Sequence, residues 1–214
     1  MSVLPSPAVL AGFAAASALL AATPGPDMAL FLSRTLGGGR LHGFAALAGA
    51  MTGILVHTVA ASLGLSALLA ASERAYDAVK IAGALYLLYL AYGALRHGAA
   101  LRLEGQAGAK GGGLTRSYLT GLLINLTNPK IILFFVTFLP QFIDAGDAGA
   151  GGKFFVLGLE FIAIGVVVNT AIILVASRFV AAAKANPRAI RWFDYGFAGL
   201  MGAFAARLAL AQGR

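Results

Sequence analysis

The sequence predicts an all-α membrane protein: six transmembrane helices forming two inverted three-helix repeats, with the first and fourth helices broken at proline-containing motifs. Three observations predict it. The 214 residues are 59% hydrophobic and only 11% charged, with a mean hydropathy of +0.85, whereas a soluble domain is about a quarter charged. Six apolar segments, 8–32, 44–70, 78–96, 117–139, 154–177 and 190–210, reach the roughly 20 residues that cross a bilayer. The two segments that carry prolines match each other, Pro26 and Pro129 standing 103 positions apart, close to half the chain.

The segments are long, rich in leucine and alanine and free of strict alternation, so all read as helices. The first has no lysine or arginine before Arg34. It therefore lacks the basic start of a cleaved signal peptide and reads as a retained span. It also contains "TPGPD" at 23–27, residues that break or burden a membrane helix. The second span carries Gly49, Gly53 and His57 at spacings of four, with Gly64 beyond. That small-residue face lets another helix approach, either within the chain or across a homodimer. On the third span Tyr86, Tyr89 and Tyr92 spiral around the axis and read as packing or interface aromatics.

A glycine-rich basic linker, 97–116, then divides one transmembrane domain, 1–214, into a first repeat of about 1–97 and a second of about 117–214. The fourth span holds its own break, "NLTNPKIILFF" at 125–135. The fifth has Asn169 midway and Glu160 on the opposite face. Trp192 beside Arg191 reads as an interface anchor for the sixth.

The net charge is +8, which in a soluble protein would suggest nucleic acid. Here the basic residues fall between the apolar runs and report topology instead. Ten of them (34, 40, 96, 102, 110, 116, 178, 184, 188 and 191) fall in alternate connections on one side. Five (74, 80, 153, 207 and 214) fall on the other, and Lys130 lies inside a span. The positive-inside rule puts the richer side in the cytoplasm and both termini outside. There are no cysteines, so disulfides and thiolate metal sites are excluded.

Aligning Pro26 with Pro129 also matches Asp27 with Lys130 and Phe31 with Phe134. Two halves of three spans each must have opposite orientations, the inverted repeat common among secondary transporters. Proline suits the first position of a helix. Asn128 is a good N-cap and Gly25 an acceptable one. New half-helices are therefore expected at Pro26 and Pro129, their free N–H groups directed into the membrane interior and suited to a carboxylate. Such groups are tolerable there only if buried in protein or lining a wet cavity.

Over nearly its whole length the chain resembles the LysE/RhtB amino-acid exporters. The resemblance is carried by "TPGPDMALFLSRTLGGGRLHGFAALAGAMTGILVH" (23–57), "KIAGALYLLYLAYGALR" (80–96) and "NLTNPKIILFFVTFLPQF" (125–142). It implies a bacterial inner-membrane protein that exports amino acids or close derivatives in exchange for protons, with no cofactor.

The candidate substrate and proton residues are Asp27, Lys130, Asn128, Asn125, Asn169 and His57, with the breaks at Pro24, Gly25, Pro26 and Pro129. Asp27 is costly at membrane depth and suits an ammonium group or a proton. Lys130 sits too deep to snorkel easily and suits a carboxylate or Asp27 itself. Asn125 and Asn128 share a helix face with Gly121 and Tyr118. Asn128 is either a ligand or a helix cap, and Asn125 either a ligand or a link between helices. His57 either relays protons or packs. Asn169 is expected to line the cavity.

No Walker A, HExxH or GxSxG motif occurs, so neither ATP-driven transport nor enzyme activity has visible machinery. The alternative function is a channel or a metal or ion carrier of the same fold.

The charge count makes a prediction about orientation. Alkaline phosphatase fused after Arg214 should be active in intact cells, and a fluorescent protein at the same place should be dark; the reverse pattern would invert the topology.

Overall fold

The computed structural model describes residues 4–71, 112–144 and 147–186, with isolated positions within 78–96 and 188–206. Most of the expected third and sixth spans, most of the linker 97–116 and Tyr86 lie outside the described residues. The described residues form seven helices and no strands. These are α1 (Pro7–Ala22), α2 (Pro26–Gly38), α3 (Arg40–Ala71), α4 (Leu114–Thr127), α5 (Pro129–Leu133), α6 (Ala150–Leu174) and α7 (Ala176–Ala185). After α5 the chain continues through a π turn, Phe134–Phe138, and a 3₁₀ turn, Leu139–Phe142.

Helices α3 and α6 are each long and apolar enough to cross a membrane. The pair α1–α2, and α4 with the segment Pro129–Phe142 that begins at α5, each pass the same test as a unit, bent by 53° and 50°. The described residues thus hold up to four spans. The bends lie where proline removes a backbone donor and forces the preceding residue out of the α region. Gly25 (φ −173°, ψ −176°) and Asn128 (φ −70°, ψ 110°) are both extended. Pro26 and Pro129 open the new helices.

The first broken span runs further than its hydropathy suggested. Helix α2 continues to Gly38, and only Gly39 separates it from α3. Gly39 has φ 87°, a left-handed conformation that glycine adopts without strain. Arg34, expected in a connection, is inside α2 and donates to Thr120 at 3.4 Å. Arg40 opens α3 and donates to the carbonyl of Leu174 at 2.9 Å, placing a cation on the C-terminus of α6. His42 Nδ1 lies 3.0 Å from Ser117 Oγ. Four helix ends are tied together by these contacts.

Helix α3 is the hub, packing chiefly on α4 and α6. Between apolar helices in lipid, close packing and polar links replace the hydrophobic effect as the source of association. The α3–α4 contact is close enough to need glycine. A Cβ on Gly49 would lie 1.9 Å from the carbonyl oxygen of Tyr118, and one on Gly121 would lie 2.0 Å from that of Ala46. A Cβ on Gly53 would lie 2.6 Å from Asn125 Oδ1. The small-residue face of the second span is therefore used inside the chain.

The other large contact is aromatic. Phe13 of α1 packs on Phe134 and Phe142 with ring centroids 5.7 and 5.2 Å apart, and Phe134 stacks on Phe161 of α6 at 4.7 Å. Outside the spans, Asp147 accepts from the Gly149 amide at 2.8 Å and pairs with Lys153 at the start of α6. Both contacts hold its carboxyl below the usual carboxylate range.

Glycines that touch a backbone should differ sharply from those that do not. Gly121→Ala must move α4 off Ala46 and should cost about 1–3 kcal/mol or more, the usual range for overpacking. Gly64 has open space around it, so Gly64→Ala should be neutral or stabilise by up to about 1 kcal/mol through helix propensity. Thermal unfolding in detergent separates them, at about 2–4 °C per kcal/mol for a chain of this size.

Candidate functional site

Breaking a helix in a membrane frees carbonyls on one side of the gap and N–H groups on the other. At the first break Thr23 turns back on α1, its N–H reaching Leu19 O at 3.0 Å and its hydroxyl donating to the same oxygen at 2.7 Å. The carbonyls of Leu20 and Thr23 are taken by Lys130 Nζ, at 3.1 and 3.0 Å. Lys130 comes from the second break, 110 and 107 residues away in the chain. An ammonium at a helix C-terminus is favourable both as a donor and toward the helix dipole. Gly25 makes room for it: a Cβ there would lie 3.3 Å from Lys130 Nζ.

At the second break Asn128 caps the new helix, its Oδ1 accepting from the Lys130 amide at 3.0 Å. Its Nδ2 donates to Asp27 Oδ2 at 2.9 Å, and Asn125 Nδ2 donates to the same oxygen at 3.1 Å. Asp27 stands in the first turn of α2, where a negative charge is favourable. Its other oxygen, Oδ1, is buried and has no hydrogen-bond partner. Asp27 and Lys130 make no direct ion pair; each is held by neutral groups of the other break.

Both charges line one partly open cavity. Thr23, Asn125 and Asn169 supply its other polar side chains. The rest of the wall is apolar, including Met28 and Phe31 of α2, Met51 and Ile54 of α3, and Phe161 of α6. Asn169 is buried and donates back to Gly165 O at 2.8 Å.

The structure therefore brings Asp27, Lys130, Asn125 and Asn169 to one cavity, with Asn128 behind Asp27. Asn128 is not on the helix face expected for it: it lies in the break itself, because the following proline forces it to be extended. Tyr118, Gly121 and Asn125 do face α3 together, Tyr118 donating to Thr52 at 2.9 Å. His57 is off the cavity wall, stacked on Phe135 with centroids 5.7 Å apart, its Nε2 buried without a partner. Glu160 is also off the wall. Sequence reasoning missed the backbone acceptors of Leu20 and Thr23, which no side-chain pattern reveals. It also missed Gly165 and Phe161, although stepping back from Asn169 by four and eight residues finds them.

The model of the LysE type translocator family matches residues 18–212. The homoserine/homoserine lactone efflux protein of Salmonella typhimurium is 31% identical over 196 residues, covering 92% of this chain and 93% of the relative. The leucine efflux protein of Klebsiella pneumoniae is 30% identical over 189 residues, covering 88% and 89%. A membrane protein of Pseudomonas aeruginosa is 31% identical over 192 residues, covering 88% of each. No solved structure matches the chain.

The double role of Asn128 can be tested by stability. Asn128→Ala removes a helix cap, about 0.5–2 kcal/mol, and a bond to a carboxylate, about 1.5–3 kcal/mol. Asn128→Ser keeps the cap and loses only the bond. The melting temperature in detergent should fall in the order wild type, Ser, Ala; equal values for the two variants would remove the capping role.

Proposed function

We propose, from the premise that this chain belongs to the LysE family of translocators, that it exports amino acids or close derivatives from the cytoplasm in exchange for protons. The observation that carries this reading is a pair of opposite charges with unused capacity on one cavity. Asp27 offers a carboxylate oxygen without a partner. Lys130 has three N–H groups, of which two are given to carbonyls. An amino-acid zwitterion complements both, its ammonium on Asp27 Oδ1 and its carboxylate on the remaining Lys130 N–H. The efflux relatives named for homoserine and leucine favour the same substrate class.

Exchange follows from competition. A proton and a substrate ammonium both require the free oxygen of Asp27, so binding of one displaces the other. Substrate leaves to the outside as Asp27 takes a proton there, and the proton is released to the cytoplasm as the next substrate binds. The bends at the two breaks, 53° and 50°, support two matched halves that rock about the cavity in the inverted arrangement. On this reading His57, whose Nε2 is buried without a partner, takes the proton on from Asp27. The membrane is the bacterial inner membrane, with both termini outside.

Uptake into inverted vesicles across a panel of amino acids tests the reading. Asp27→Asn should keep the fold, because an amide oxygen can still accept from Asn125 and Asn128, yet lower transport by about 10–100-fold, the equivalent of one charged hydrogen bond. Lys130→Met should lower it comparably. A protonophore should abolish concentrative uptake, whereas a channel would go on conducting. Full transport by both variants would overturn the site.

A further inference from the structure

We propose that one face of α6, formed by Phe161, Gly165 and Asn169, selects the substrate's side chain, and that the side chain it selects is neutral and aliphatic. The inference rests on the seating of the zwitterion at Asp27 and Lys130. With those two charges occupied by the substrate's own ammonium and carboxylate, the side chain meets the remaining wall, and that wall carries no charge. Phe161, Gly165 and Asn169 are spaced by four, so they lie one above another on a helix, and all three line the cavity. Met51 and Ile54 of α3 line it with them. A cationic or anionic side chain placed there would lose its hydration without a partner, which is costly.

Two features of this face set the limits. At Gly165 a Cβ would meet Met51 Cε and Sδ at 3.6 Å, an ordinary contact. Alanine therefore fits, while any longer side chain there takes space from the cavity or pushes the thioether. Glycine at this position fixes the length of side chain the cavity admits. Asn169 is the second feature. One N–H of its Nδ2 is given to Gly165 O, and its Oδ1 accepts from none of the described residues. It offers a hydroxyl-bearing aliphatic chain one hydrogen bond, while a purely aliphatic chain relies on Met51, Ile54 and Phe161.

The test is uptake of leucine, homoserine, alanine, lysine and glutamate into inverted vesicles. Wild type should prefer the neutral amino acids over lysine and glutamate by more than about tenfold. Gly165→Val should lower leucine transport by about 10–100-fold, the range for one or two methylene groups in an apolar pocket, and change alanine by less than about threefold. Gly165→Ala, which the contacts accommodate, should show the same trend more weakly and guards against a folding defect in the valine variant. Asn169→Leu should lower homoserine relative to leucine by about tenfold. Export of neutral amino acids with leucine and alanine falling by the same factor in both Gly165 variants would overturn the selective face alone. Equal transport of lysine or glutamate by wild type would do so too. Wild-type vesicles that move no amino acid would overturn the export reading and this inference with it.

Discussion

The ammonium of Lys130 bound to the carbonyls of Leu20 and Thr23 is the contact on which the other features depend. A helix interrupted in a bilayer exposes backbone groups that lipid cannot satisfy, at a cost of several kcal/mol for each. This chain interrupts two. The carbonyls of the first break are taken by the second, and the cap of the second, Asn128 on the Lys130 amide, is held by the first. The second sends Lys130 to the open end of α1, and the first sends Asp27 to the amides of Asn125 and Asn128. The open end of α1 relies on a residue of the other break, so the two bent spans and the cavity between them are one structural commitment.

That mutual bracing needs the helices to be close, and glycine supplies the closeness. With Gly49 against Tyr118 O and Gly121 against Ala46 O, α3 and α4 touch backbone to backbone. Gly53 then accepts Asn125 against its α-carbon, and Asn125 is left pointing at Asp27. A bulkier residue at any of these positions would act on the site at a distance, by moving the helix that carries Asn125. Packing and site chemistry are here the same set of contacts.

How much of this the sequence revealed depends on the range of each signal. Proline and its neighbours are local: "TPGPD" and "TNPK" specify a stop, an extended residue and a restart, and Gly25, Pro26, Asn128 and Pro129 take the predicted places. The spacing of Gly49 and Gly53 revealed a close face, though not which helix met it. Composition showed a membrane protein. Hydropathy misjudged the end of the first broken span, because Arg34 and the glycines before Gly39 look like a loop although Arg34 is held inside α2 by Thr120. The partner of Lys130 was illegible for a plainer reason. It is a pair of main-chain oxygens more than a hundred residues away, and main-chain atoms leave no trace in residue identity. The apolar cavity wall was hidden likewise, since Met51 or Phe161 looks the same facing a cavity as facing lipid.

The unpaired atoms of the site complete the logic. Asp27 Oδ1, Asn125 Oδ1 and His57 Nε2 are all buried without partners, although such atoms are few in folded proteins and cost about 1–3 kcal/mol apiece. They are neighbours: Asn125 bonds Asp27, and it packs on Gly53, one turn before His57. A lysine on the same cavity could pair with Asp27 and remove much of that cost, yet it is held by carbonyls instead. If it did pair, an arriving ammonium would first have to break an ion pair in a medium of low dielectric, where such pairs are strong. With Lys130 bound to the helix end, the carboxylate stays available and the cation stays close enough to balance it. On the export reading, a seat that is left incomplete when empty is what lets a proton or an ammonium bind, and the helix break is what keeps it incomplete.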